Sequence, residues 1–100
     1  MNDPMSTQRS IQQVKERLLT SGWVQHASST HQGCCLVGAI HKVCPYGPER
    51  DAVIKELYDR LGETSAEVSA LHGVHFQRMR LIRFNDDPST TKGDVLKLLQ

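Results

Sequence analysis

An all-α fold, a single compact domain of five or six short helices, follows from three features of the 100-residue sequence. Apolar residues recur at three- and four-residue spacing in most segments, and no sheet is predicted. Gly22, Pro45, Gly62 and Gly73 cut the chain into pieces of helix length. The composition, 38% hydrophobic and 23% charged, is that of an ordinary globular chain with a modest core and no room for a separate catalytic lobe. The domain is expected to fill residues 1–100, with 1–6 as a flexible lead.

The first helix is predicted over about 7–21, with Ile11, Val14, Leu18 and Leu19 as its stripe, Ser6 or Thr7 as its cap and Gly22 as its stop. Trp23 and Val24 are expected in the core, and the Ser, Thr and Gly residues after them read as a surface loop. "CCLVGAIHKV" predicts a central helix with Cys35, Leu36, Ala39 and Ile40 inward and with Gly38 allowing close packing. Pro45 ends it by pushing Cys44 off helical angles. The next helix starts near Pro48, carries Val53, Ile54, Leu57, Tyr58 and Leu61 as its stripe, and closes at Gly62. Thr64 and Glu67 stand at capping-box spacing and predict a short helix over about 65–72. "VHFQRMRLIRFND" reads as a helix with Val74, Met79, Leu81 and Ile82 on one side and Phe76 and Phe84 on the other. After a turn, Thr91 and Asp94 form a second capping box ahead of Val95, Leu98 and Leu99.

A net charge of +1 provides no field for nucleic acid or an acidic membrane. No apolar run approaches the roughly 18 residues of a membrane span, and "MNDPMSTQRS" lacks the features of a signal peptide, so a cytoplasmic protein without membrane contact is expected. Three cysteines, two of them adjacent, predict free thiols.

Residues 33–44, "GCCLVGAIHKVC", hold all three cysteines. His31, Cys34, His41 and Cys44 form two His-x-x-Cys pairs that suggest zinc. A helical rise of about 1.5 Å per residue, however, puts Cys34 and Cys44 roughly 15 Å apart, and ligands must lie about 2.0–2.3 Å from one ion. Neither a metal site nor a cofactor is expected. A second reading is a thiol nucleophile: Cys34 or Cys35 at a helix start, a base drawn from His26, His31, His72 or His75, and Asn85 or Asp86 to orient it. Cys35, Cys34, His31 and Asn85 are the candidate residues of such a hydrolase, whose order of groups is like that of papain-type enzymes. The favoured reading is packing, because free cysteine is among the most buried residue types. An apolar setting for Cys35 would make serine there more costly than alanine.

Gly22, Trp23 and Gln25, "CLVGAI" at 35–40, the Leu-bearing helix of 52–61, and "FND" at 84–86 followed by a proline, a threonine and "DVLKLL" carry a resemblance. The chain resembles, over residues 8–100, a family of small uncharacterised proteins of actinobacteria and their phages. Its pattern is Gly-Trp, Cys-Leu-x-Gly-Ala, an aromatic residue with Asn-Asp, and a threonine-capped last helix. The resemblance implies a compact helical domain and no assigned activity. It marks Gly22, Trp23, Cys35, Gly38, Ala39, Asn85 and Asp86, and leaves out Cys34, Cys44 and the histidines. This chain departs from it in having Phe84 where tryptophan is common and in an extra Asp87.

Trp23, Gln25, Asn85 and Asp86 are the candidate binding residues: they either tie a turn or line a small pocket for a ligand or a partner's backbone. Arg78, Arg80 and Arg83 read as a solvated face or as a contact for phosphate or an acidic surface. The expected function is that of a small non-enzymatic interaction module binding a protein partner, phage- or mobile-element-encoded. A cysteine-dependent hydrolase is the first alternative and a nucleic-acid-associated regulator the second, although nucleic acid is not the expected partner.

Overall fold

The computed structural model of the chain describes residues 4–27, 29–44, 47–62 and 73–100. Within them lie five helices, α1 (Pro4–Ser21), α2 (Leu36–Val43), α3 (Pro48–Arg60), α4 (Val74–Asp86) and α5 (Lys92–Leu98). A two-residue hairpin, β1 (Ser29–Thr30) and β2 (Gly33–Cys34), is the only sheet among the described residues. The all-α class is therefore correct. The helix expected over about 65–72 and residues 1–3 of the expected flexible lead lie outside the described residues.

In α1 the buried residues are Ile11, Val14 and Leu18, at the three- and four-residue steps that keep side chains on one face. Leu19, expected with them, lies one residue further round the helix and is 53% exposed. The helix also starts before its expected caps. Ser6 and Ser10 instead donate to Glu49 Oε1 at 3.1 and 2.6 Å, tying α1 to the first turn of α3.

Short and strongly apolar, α2 buries Leu36, Val37, Gly38, Ala39 and Ile40. It is covered by α1, α3 and α4, which makes it the centre of the core. Val53, Ile54, Leu57 and Tyr58 of α3 complete that core as the sequence predicts. Leu81 of α4 and Val95 and Leu99 at the chain's end close it. The Thr91–Asp94 capping box forms as expected, with Thr91 N–H donating to Asp94 Oδ2 at 2.9 Å and Asp94 N–H to Thr91 Oγ1 at 3.2 Å.

The helix expected over residues 74–86 is present as α4, but the face it buries differs from the expected one. Gln77, Leu81 and Asn85, four residues apart, point inward, while Val74 and Met79 are exposed. The apolar pattern misleads because two of the three buried positions are polar. A buried amide is tolerated only with its hydrogen bonds made, and those of Asn85 build the site.

Candidate functional site

The polypeptide after α1 doubles back on itself. Cys34 N–H donates to Gly22 O and Val24 N–H to Cys34 O, each at 3.0 Å, so residues 22–24 run beside β2. The approach is so close that a Cβ on Gly33 would lie 2.4 Å from the Gly22 carbonyl, and one on Gly22 would lie 2.5 Å from Gln32 O. Both residues also have positive φ, +93° and +148° for Gly22 and Gly33, where side chains are disfavoured. Glycine is required twice for this crossing.

The crossing aims Trp23, Val24, Gln25 and His26 at the end of α4. Asn85 has no exposed surface, and its side chain makes four hydrogen bonds there. Its Oδ1 accepts from the Trp23 indole N–H and from Leu36 N–H, the latter at 3.0 Å. Its Nδ2 donates to Val24 O at 3.1 Å and to Asp86 Oδ1 at 2.9 Å. Gln25 Nε2 donates to Asn85 O and Asp87 O, both at 2.9 Å; the first is one of the carbonyls at the end of α4, and the second also accepts Thr90 N–H at 2.9 Å. Asp86 Oδ1 also receives His26 N–H at 2.8 Å. That bond holds His26 at φ +65°, a left-handed conformation uncommon outside glycine, although histidine adopts it more readily than most residues. The four candidate binding residues, Trp23, Gln25, Asn85 and Asp86, thus meet in one network joining the loop to the start of α2 and the end of α4.

Cys35 is the N-cap of α2, with φ −78° and ψ 172°. Its sulfur accepts the Gly38 N–H at 3.2 Å, as a serine or threonine oxygen would at this position. Together with Asn85 Oδ1 on Leu36 N–H, this satisfies two amides of the first turn with side chains. Burial raises the Cys35 thiol above its ordinary range and outweighs the Gly38 and Val37 backbone bonds that lower it; Asp86 and Cys34 raise it further. At neutral pH the group is a thiol. The amides that would stabilise an oxyanion are already engaged with the sulfur and with Asn85.

An open cleft of about 180 Å³ adjoins the cap, lined by His26, Ala27, Cys35, Val37, Ile82 and Asp86. It is His26, and not His31, that shares this cleft with Cys35. His26 Nδ1 stands 3.9 Å from Asp86 Oδ2, with the histidine side chain 71% exposed, so the contact is weak and solvent-screened. His31 is exposed in the hairpin turn. Cys34, expected at the helix start, lies in β2, and its Sγ donates to Ser29 Oγ at 3.8 Å. His75 is exposed on α4, and His72 lies outside the described residues. All three cysteines are free and buried, with Cys34 and Cys44 at opposite ends of α2. Among the described residues no group of three or more His, Cys, Asp or Glu side chains is placed to hold a metal ion.

The three arginines part company. Arg80 and Arg83 line a cleft of about 390 Å³ with Phe84, Asp87, Ser89, Thr90 and Asp94, whereas Arg78 contacts His75 through Nη2 and acts on His41.

The cap role of Cys35 went unread in the sequence, and it reverses the expected order of substitutions. Serine can take over the Gly38 N–H, whereas alanine loses both the cap and the sulfur's packing. Cys35→Ala should lower stability by about 1–2 kcal/mol, and Cys35→Ser by less. Urea denaturation midpoints check this, and a greater loss for serine would remove the capping account.

Fold and site together define a small α-helical protein with a buried amide lock where its loop, its central helix and its longest-range contacts converge. The chain belongs to DUF6197, a family of unknown function, whose model matches residues 3–100. Comparison with curated proteins and with solved structures finds no match. Membership agrees with the expectation of an uncharacterised family.

Proposed function

We propose that this chain is a small interaction module that binds a protein partner through the outer face of α4. The observation that carries the reading is the pair Phe76 and Met79, large apolar side chains 38% and 43% exposed on that helix. Arg83 lies on the same outward arc, opposite the buried Gln77, Leu81 and Asn85, and Arg80 flanks it. Apolar anchors beside cations suit an acidic segment carrying an apolar residue of its own, with burial supplying affinity and charge supplying orientation. Asp87 and Asp94 in the adjoining cleft are occupied by Ser89 and by the Thr91 cap, so they compete weakly for the arginines.

In this reading Trp23, Gln25, Asn85 and Asp86 serve binding indirectly, by fixing α4 against α2. The hydrolase alternative loses ground to the capped, protonated Cys35 thiol, and the nucleic-acid alternative to a net charge of +1. A cytoplasmic setting and a phage or mobile-element origin belong to the same proposal and rest on the sequence alone. No helix among the described residues is long and apolar enough to cross a membrane.

A displayed peptide library selected on the immobilised protein should yield sequences rich in Asp and Glu around an apolar residue. Their NMR shift changes should centre on Phe76, Met79 and Arg83, and Met79→Glu with Arg83→Glu should weaken binding about tenfold or more, roughly 1.4 kcal/mol, with the fold intact. Peptides that map to another face, or that bind the double variant equally well, would contradict the proposal.

A further inference from the structure

The end of α3, the last turn of α4 and the side of α5 leave between them a cleft of about 450 Å³, within the size range of pockets that hold small molecules. Its apolar lining is Leu61, Phe84 and Leu98, which pack on the core and are only partly buried by it, so that apolar surface is left facing the cleft. The walls are fixed by bonds already made. Arg60 Nη1 donates to Leu98 O and Gln100 O, each at 2.9 Å, and clasps the end of α3 to the end of α5. The same guanidinium donates through Nε to Glu56 Oε1 at 3.1 Å and through Nη2 to Gln8 Oε1 at 3.2 Å. Phe84 precedes Asn85, whose side-chain bonds hold the end of α4. The cleft is therefore preformed, and little ordering of the protein accompanies its filling.

The charged groups at the rim are unequally engaged. Arg60 is spent on the clasp, and Asp94 Oδ2 accepts Thr91 N–H at 2.9 Å in the capping box. Lys97 is exposed and makes no hydrogen bond or ion pair with any described residue. Two cations stand against one carboxylate, so the rim favours an anion. We infer that this cleft binds a small monocarboxylic acid with an apolar body, aryl or short alkyl, whose carboxylate meets the Lys97 ammonium. The body lies on Leu61, Phe84 and Leu98, where burial of its apolar surface supplies most of the affinity. The head sets the sign of the ligand: an amine in its place would face both cations. A phosphate is less suited, because the ammonium is a point charge without the fork of a free guanidinium, and Asp94 opposes a second negative charge. The site is separate from the face of α4 proposed for the protein partner, since none of Phe76, Met79 and Arg83 lines it.

The test is an NMR titration of the full chain, following the methyl groups of Leu61 and Leu98 and the ring of Phe84. One arm uses 4-phenylbutyrate and the other octanoate; 4-phenylbutylamine controls for the charge of the head and acetate for the need of a body. Saturable shifts of all three residues with the acids are expected, while Phe76 and Met79 stay unmoved. Saturation by both acids, or by one of them, supports the site and tells which body it accepts. Lys97→Gln should weaken binding about threefold and Lys97→Glu about tenfold or more, with an amide spectrum that stays folded because the residue is exposed. Shifts that do not saturate or that centre on another face would overturn the inference. So would equal affinity for the amine or for acetate, or undiminished affinity in both folded Lys97 variants.

Discussion

Asn85→Ala is expected to lower the free energy of unfolding by about 3–5 kcal/mol and the melting temperature by roughly 15–35 °C. The side chain is fully buried and its four hydrogen bonds join three parts of the chain. Truncation strands the Leu36 N–H at the start of α2, the Val24 carbonyl and the Trp23 indole N–H, none of which gains a partner from a methyl group. Each buried group left unpaired costs about 1–3 kcal/mol, so the loss exceeds that of removing an ordinary surface amide several-fold. A domain of this size holds only about 5–15 kcal/mol in total, which makes the variant marginal. Urea unfolding read by Trp23 fluorescence measures the loss and also senses the missing indole bond. A change below about 1 kcal/mol would mean that the network is ornamental to stability.

Gly33→Ala is expected to be comparably damaging, at about 3 kcal/mol or more. Two costs combine: φ of +148° is strained for any side chain, and the new Cβ would meet backbone atoms of Gly22 at 2.4 Å. Backbone cannot swing aside as a flexible side chain does, so residues 22–24 must separate from β2 and carry Trp23 and Gln25 away from α4. Gly47→Ala isolates the first cost. Gly47 has φ +93° and ψ −169°, a region nearly confined to glycine, but a methyl group added there would meet nothing within 4 Å, so that variant should lose about 1–3 kcal/mol from strain alone. Equal losses at the two positions would show that strain alone, and not the crossing, governs Gly33.

The helices that bury a purely apolar stripe were legible in the sequence. Ile11, Val14 and Leu18, the Val53–Tyr58 set, and Val95 behind its Thr91–Asp94 box all announce themselves, because burial of apolar surface at helical spacing is a local signal. The buried face of α4 was not, since Gln77 and Asn85 look like surface residues until their partners are known. The partners of Asn85 are about 60 residues away in sequence, at Trp23 and Val24. The hairpin was missed because two-residue strands carry no alternation. For the site, the motif resemblance grouped Trp23, Asn85 and Asp86, and the structure joins them with Gln25 in one network. His26 had no such signal, since its part is played by a backbone N–H at positive φ. The cap at Cys35 was hidden by reading the helix as starting one or two residues early, which turned a capping thiol into a core one.

The central claim is that the start of α2 is a structural junction whose buried thiol caps a helix, and we propose that this thiol performs no chemistry. Alkylation of the native protein with iodoacetamide at pH 6 and pH 7, with Cys35 followed by tandem mass spectrometry, tests it most directly. Burial and the raised thiol predict modification at least about 100-fold slower than in the urea-unfolded chain at either pH. Modification of Cys35 at pH 6 as fast as in the unfolded chain, or faster, would contradict the account and return the Cys35, His26 and Asp86 cleft to consideration as a catalytic centre.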